Sequence, residues 1–139
     1  MRAPYTKLHV HLVWATWDRA PLVRPEMEIE LFNVLGAKAA ELKCQTLALG
    51  GHFDHVHALV RMVPSISVSQ LVGEMKGASS HWVNAVWRPA YPFKWQGCYG
   101  AFAVSPDAVE SVEAYIRNQK IHHANRQLWD DWEHCFLPD

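Results

Sequence analysis

The chain contains four segments that read as strands, and three in which apolar residues recur with the period of a helix. Between Lys7 and Thr16, Leu8, Val10, Leu12 and Trp14 alternate with His9, His11, Val13 and Ala15, which predicts a strand. Pro25 opens a helix predicted to run to about Lys43. Met27, Leu31, Val34/Leu35, Ala39 and Leu42 form its apolar stripe, with Glu26, Glu28 and Glu30 near its start and Lys38 and Lys43 near its end, as the helix dipole favours. Cys44 to Leu49 reads as a second strand, broken by Gly50-Gly51. His55 to Met62 is a third, with Val56, Ala58, Val60 and Met62 on its apolar face. Ser67 and Gln70 suggest a capped helix reaching about Trp87, followed by a loop from Arg88 to Tyr99 rich in Pro and Gly. Gly100 to Val104 is a short fourth strand. Ser105-Pro106 then starts a last helix, expected to end near His123.

The order βαββαβ-α predicts an α+β fold: a ferredoxin-like sandwich with a central antiparallel four-stranded sheet and two helices on one face. The third, C-terminal helix is extra. In such a sheet strands one and three are central neighbours, with their apolar faces toward the helices. The other face, expected to be open, would carry His9, His11, His55, His57 and Arg61, an unusual strip to build for stability alone.

At 139 residues, half of them apolar, the chain suits a single domain over 1–139. No apolar run approaches the roughly 20 residues of a membrane span. No basic-then-apolar leader opens the sequence, so a cytoplasmic location is expected. Cys44, Cys98 and Cys135 form neither a metal knuckle nor an even disulfide framework. The net charge of -1 is unevenly spread: residues 128–139 hold Asp130, Asp131, Glu133 and Asp139 with no Lys or Arg, leaving a mildly basic body. Nucleic acid is therefore a permissible partner.

His55-Val56-His57 is a His-x-His pair. On a strand its two rings lie on one face, about 6.6 Å apart along the chain, and can converge on one ion. His9-Val10-His11 repeats the pattern, so spacing alone does not single out a site. Tyr115 and Gln119 are four residues apart on the last helix, in the stripe Ala108, Val112, Tyr115, Gln119, His122. That position equally suits a core tyrosine and the end of a buried stripe. A phenol, with its pKa near 10, is a better nucleophile and leaving group toward a phosphodiester than an aliphatic alcohol. It needs a Lewis acid on the phosphate oxygens, which two imidazoles and an amide oxygen could hold. Such mixed N/O ligation suits Mg²⁺ or Mn²⁺.

These residues resemble, over about Tyr5 to Gln127, the single-tyrosine HUH transposases of the smallest bacterial insertion sequences (the insertion-sequence-200 type) and their REP-associated relatives. The resemblance rests on His11-Leu-Val-Trp14-Ala-Thr16, Asp54-His55-Val56-His57, Met75-Lys76-Gly77-Ala78-Ser79-Ser80, Trp95-Gln96-Gly97 with Tyr99, and Tyr115-Ile116-Arg117-Asn118-Gln119, in that order. It implies a metal site at His55 and His57 completed by Gln119, with Tyr115 as nucleophile. The implied reaction is cleavage and rejoining of single-stranded DNA near hairpins at element ends, through a 5′-phosphotyrosine link and without ATP. It further implies a homodimer in which the tyrosine helix of one subunit completes the site of the other. Trp17 stands where many relatives carry Lys, and the acidic tail is a second departure.

Lys7, Arg19, Arg61, Lys76 and Lys94 are candidates for phosphate contacts, and Trp17, Trp87 and Trp95 for stacking on unpaired bases. Two other readings fit parts of the pattern. One is a zinc hydrolase using His9, His11, His55 and His57. The other is a non-catalytic nucleic-acid-binding module, although strand three offers His and Arg rather than the aromatics such sheets use.

Overall fold

The structure is a computed structural model and describes residues 3–120. Strand β1 (Leu8–Ala15) leads through two 3₁₀ turns into helix α1 (Glu28–Glu41). Strands β2 (Gln45–His52) and β3 (His55–Met62) form a hairpin, followed by α2 (Val68–Trp82), which runs on as a π-helical turn to Trp87. After the loop come β4 (Gly100–Val104), a 3₁₀ turn and α3 (Val109–Arg117). The strands pair antiparallel in the order β2-β3-β1-β4. The ferredoxin-like arrangement is thus the one the residue pattern predicts, with β1 and β3 at its centre.

The helix-covered face is built from the residues the alternation selects. Leu12 and Trp14 of β1 and Val56, Ala58, Val60 and Met62 of β3 pack against Leu31, Leu35 and Ala39 of α1 and Leu71, Val72 and Met75 of α2. A core of this kind, removed from water at roughly 25 cal/mol per Å² of apolar surface, is the main source of stability. The Ser67 hydroxyl accepts from the Gln70 amide at 3.1 Å and caps α2. Three side chains of the α2 rod hold the following loop. Lys76 Nζ donates to the Gln96 and Cys98 carbonyls, Ser79 Oγ accepts from Trp95 Nε1, and the Asn84 amide pairs with the Phe93 backbone in both directions.

Three expectations are corrected. Gly50-Gly51 does not end β2; both lie inside the strand, paired with His57 and Val56. The hairpin turn is only Phe53-Asp54. Gly50 is needed for proximity: a Cβ there would meet the Ile116 carbonyl oxygen at 1.9 Å. Second, the other sheet face is not open, because α3 packs across β2 and β3. Val112, Tyr115 and Ile116 cluster there with Ala48, Leu59 and Val104. Third, the last helix is not continuous: α3 is interrupted at Asn118, which leaves helical geometry, and the chain is helical again at Gln119 and Lys120. The expected helix end at His123, Cys135 and the acidic tail 128–139 lie outside the described residues. Among the described residues no helix is long and apolar enough to cross a membrane.

Candidate metal and nucleophile site

Antiparallel pairing of β1 with β3 sets His55 opposite Ala15 and His57 opposite Val13. His11 therefore lies diagonally across from His57, within reach of its ring. All three imidazoles are fully buried, on the sheet face that α3 covers. The His57 ring centroid is 5.1 Å from those of both His11 and His55. Tyr115, 3% exposed, places its ring edge-to-face with His57 at 5.8 Å between centroids.

The hydrogen bonds define the chemistry. His55 Nδ1–H donates to Asp54 Oδ1 at 2.8 Å, since an ionised carboxylate only accepts. The other nitrogen, His55 Nε2, lies 3.1 Å from Gln119 Oε1. Gln119 is 1% exposed and its amide nitrogen donates to the Tyr115 carbonyl at 3.4 Å, which turns the oxygen toward His55. Two lone-pair atoms facing each other fit either a second proton on the ring or a cation shared between them. Donors at adjacent corners of an octahedron with bonds of about 2.1 Å stand about 3.0 Å apart, close to the observed separation. His11 Nε2 and His57 Nδ1 share one proton across 2.8 Å. Burial alone would raise the Asp54 carboxyl. The hydrogen bond and charge of His55, together with the Arg19 guanidinium, outweigh burial and hold it below the usual carboxylate range.

Of the residues singled out in the sequence, His55, His57, Gln119 and Tyr115 converge here. His9 does not: it pairs with Arg61 toward the other end of β1, about 20 Å from Ala15 at strand spacing. Among the described residues no group of three or more His, Cys, Asp or Glu side chains could hold a metal ion, so the four-histidine zinc cluster does not form. The candidate phosphate-binding residues are dispersed. Lys7 and Arg61 lie toward the far end of the sheet, beside Tyr5 and Thr6 respectively. Lys76 is engaged by the loop carbonyls, and Arg19 grips Asp54 through Nε and Nη2, each at 3.1 Å. Lys94 sits 3.9 Å over the Trp17 ring. Trp95 is buried and Trp87 packs against the core, whereas Trp17 is 53% exposed. The roles of His11 and Asp54 toward the two rings escape residue spacing, because they depend on a cross-strand diagonal and on a turn geometry.

Residues 4–119 match the family described as "Transposase IS200 like", and the chain belongs to that family. Among solved structures it is similar to a protein from Deinococcus radiodurans R1 assigned to the transposases. The two share 28% identity with a TM-score of 0.69, covering 86% of this chain and 95% of the other. It also shares its fold with a REP-associated tyrosine transposase bound to a REP hairpin. There identity is 15% and the TM-score 0.65, over 88% of this chain and 73% of that one. No match was found among curated protein sequences.

Proposed function

We propose that this transposase-family protein is a single-tyrosine HUH endonuclease and strand transferase acting on single-stranded DNA, with Tyr115 as nucleophile and His55, His57 and Gln119 holding a Mg²⁺ or Mn²⁺ ion. The observation that carries the reading is the 3.1 Å approach of His55 Nε2 to Gln119 Oε1, both buried, beside the His57 ring against which the Tyr115 ring packs. A bound divalent cation supplies Lewis-acid stabilisation to the phosphate oxygens as negative charge builds there. The phenol of Tyr115 loses its proton and bonds to phosphorus while the bond to the 3′ oxygen breaks. That oxygen takes up a proton and leaves as a 3′-hydroxyl, and a 5′-phosphotyrosine ester remains. Gln119 couples the two halves of the site, because its amide nitrogen holds the Tyr115 carbonyl while its oxygen faces His55.

DNA hairpins are the proposed substrate, in line with the hairpin held by the REP-associated neighbour. The resemblance implies a homodimer with exchanged tyrosine helices. Here α3 seats on its own sheet and brings its own Tyr115 to its own His57, which favours a tyrosine acting in cis. A purely binding module of the RNA-recognition type is less well supported, because α3 covers the sheet face such modules use. The test is cleavage of hairpin-bearing single-stranded DNA in Mn²⁺. Tyr115→Phe should bind the oligonucleotide normally yet form no covalent adduct, and EDTA should stop the wild-type reaction. Adduct formation by Tyr115→Phe at the wild-type rate would refute the assignment.

A further inference from the structure

Each of the two strand imidazoles is tethered at Nδ1 by a residue that has no part in the proposed ligand set. His55 Nδ1 is 2.8 Å from Asp54 Oδ1, and His57 Nδ1 is 2.8 Å from His11 Nε2. We infer that His11 and the Arg19–Asp54 pair are positioning residues that fix the tautomers of His57 and His55, so that both rings offer an Nε2 lone pair to the cation. The inference rests on the proposed metal reading of the site and adds to it the residues that make the site selective for a bound ion.

The two tethers differ in kind. Asp54, as an ionised carboxylate, can only accept, so it dictates a proton on His55 Nδ1. Its other oxygen, Oδ2, takes Nε and Nη2 of Arg19, which stops the carboxylate from rotating. Arg19 is itself set with effort. Asp18 and Arg19 both occupy the left-handed region, at φ 55 and 53, which costs L-residues of order 1 kcal/mol each. The Thr16 hydroxyl, 2.6 Å from the Ala20 carbonyl and 3.2 Å from that of Asp54, clamps this turn against the start of β3. An exposed arginine reaching for phosphate requires none of that.

The His11–His57 contact is between two ambivalent rings, and only one arrangement suits metal binding. For His57 to present a lone pair at Nε2, its proton must be on Nδ1 and be donated to His11 Nε2. His11 must then be neutral, with its own proton on Nδ1. The reverse arrangement, with His11 donating, puts the His57 proton on Nε2 and blocks that nitrogen as a ligand. His11 is fully buried, and the next pair of rings, His11 and Phe102, are 6.0 Å apart, so the imidazole is confined by β4 as well. Second-sphere partners of this kind typically change metal affinity by about 10- to 100-fold.

The experiment uses the full chain without DNA and reads two quantities. Imidazole ¹⁵N shifts in the neutral, metal-free protein report the tautomer, and calorimetric titration with Mn²⁺ reports affinity. Wild type should show Nδ1-protonated His55 and His57. His11→Leu, which removes the acceptor, should weaken Mn²⁺ binding by about 10- to 100-fold and release the tautomer of His57 while leaving that of His55 alone. His11→Gln, which restores an acceptor oxygen, should recover most of that loss. Arg19→Leu should weaken Mn²⁺ binding and loosen the tautomer of His55 alone. An Nε2-protonated His57 in wild type would overturn the inference. So would Gln as damaging as Leu at position 11, since packing and not hydrogen bonding would then be at stake. Should His11→Leu fail to fold, the wild-type tautomer and His11→Gln decide the matter. Wild type that binds no Mn²⁺ would overturn the metal reading itself, whereas binding insensitive to all these variants would overturn only the positioning roles.

Discussion

Gly50 lies in β2 opposite His57, directly beneath the last turn of α3, and carries none of the site's chemistry. A Cβ built on it would stand 1.9 Å from the Ile116 carbonyl oxygen and 2.8 Å from the carbonyl carbon. Real Cβ atoms essentially never approach closer than 3.0 Å, so in Gly50→Ala the backbone of α3 must retreat by about 1.1 Å at least. Ile116 adjoins Tyr115 and is three residues from Gln119, so both would shift with it and the 3.1 Å approach of Gln119 to His55 would open. Misplacement by about 1 Å costs on the order of 100-fold in rate, and overpacking of this kind costs about 1–3 kcal/mol in stability. Gly77 is the control. It is an exposed glycine on α2 with nothing within 4 Å of a built Cβ. Gly77→Ala should therefore stabilise by about 0.5–1 kcal/mol through helix propensity and leave cleavage intact. The assay is formation of the covalent adduct on hairpin DNA in Mn²⁺, alongside thermal melting. Gly50→Ala cleaving at the wild-type rate would show that the seat of α3 on β2 does not position the nucleophile.

Mixing Tyr115→Phe with His57→Ala should leave cleavage at background, because α3 lies on its own sheet and each variant lacks one part of its own site. Activity restored on mixing would establish exchange of the helix between two copies. For Asp54, the folded carboxyl is held below its ordinary value of 3.8 by His55 and Arg19 against the opposing effect of burial. A depressed carboxyl stabilises fully above its unfolded value, and the contribution fades as pH falls through the folded one. Asp54→Asn should therefore melt below wild type at neutral pH, and that gap should close as the pH is lowered below 3.8. A gap that persists unchanged into strong acid would count against an ionised Asp54 as the source.

Residue order alone determined the layered sandwich and the identity of its core. Period-two alternation in β1 and β3 has one low-energy solution, with Leu12, Trp14, Val56, Ala58 and Val60 against the two helices. It also determined that His55 and His57 share a face, since strand geometry leaves no alternative. The family motifs brought Tyr115 and Gln119 into consideration, which helical spacing could not separate from an ordinary buried stripe. Only the tertiary structure decided what covers that face, because α3 reaches it through a close backbone approach at Gly50, where the residue pattern suggests a strand break. It also decided the partners of each ring nitrogen. His11 meets His57 through a diagonal across two strands 46 residues apart, and Arg19 meets Asp54 through a left-handed turn. Hydrogen bonds of that kind depend on register and direction in space, and local periodicity carries neither.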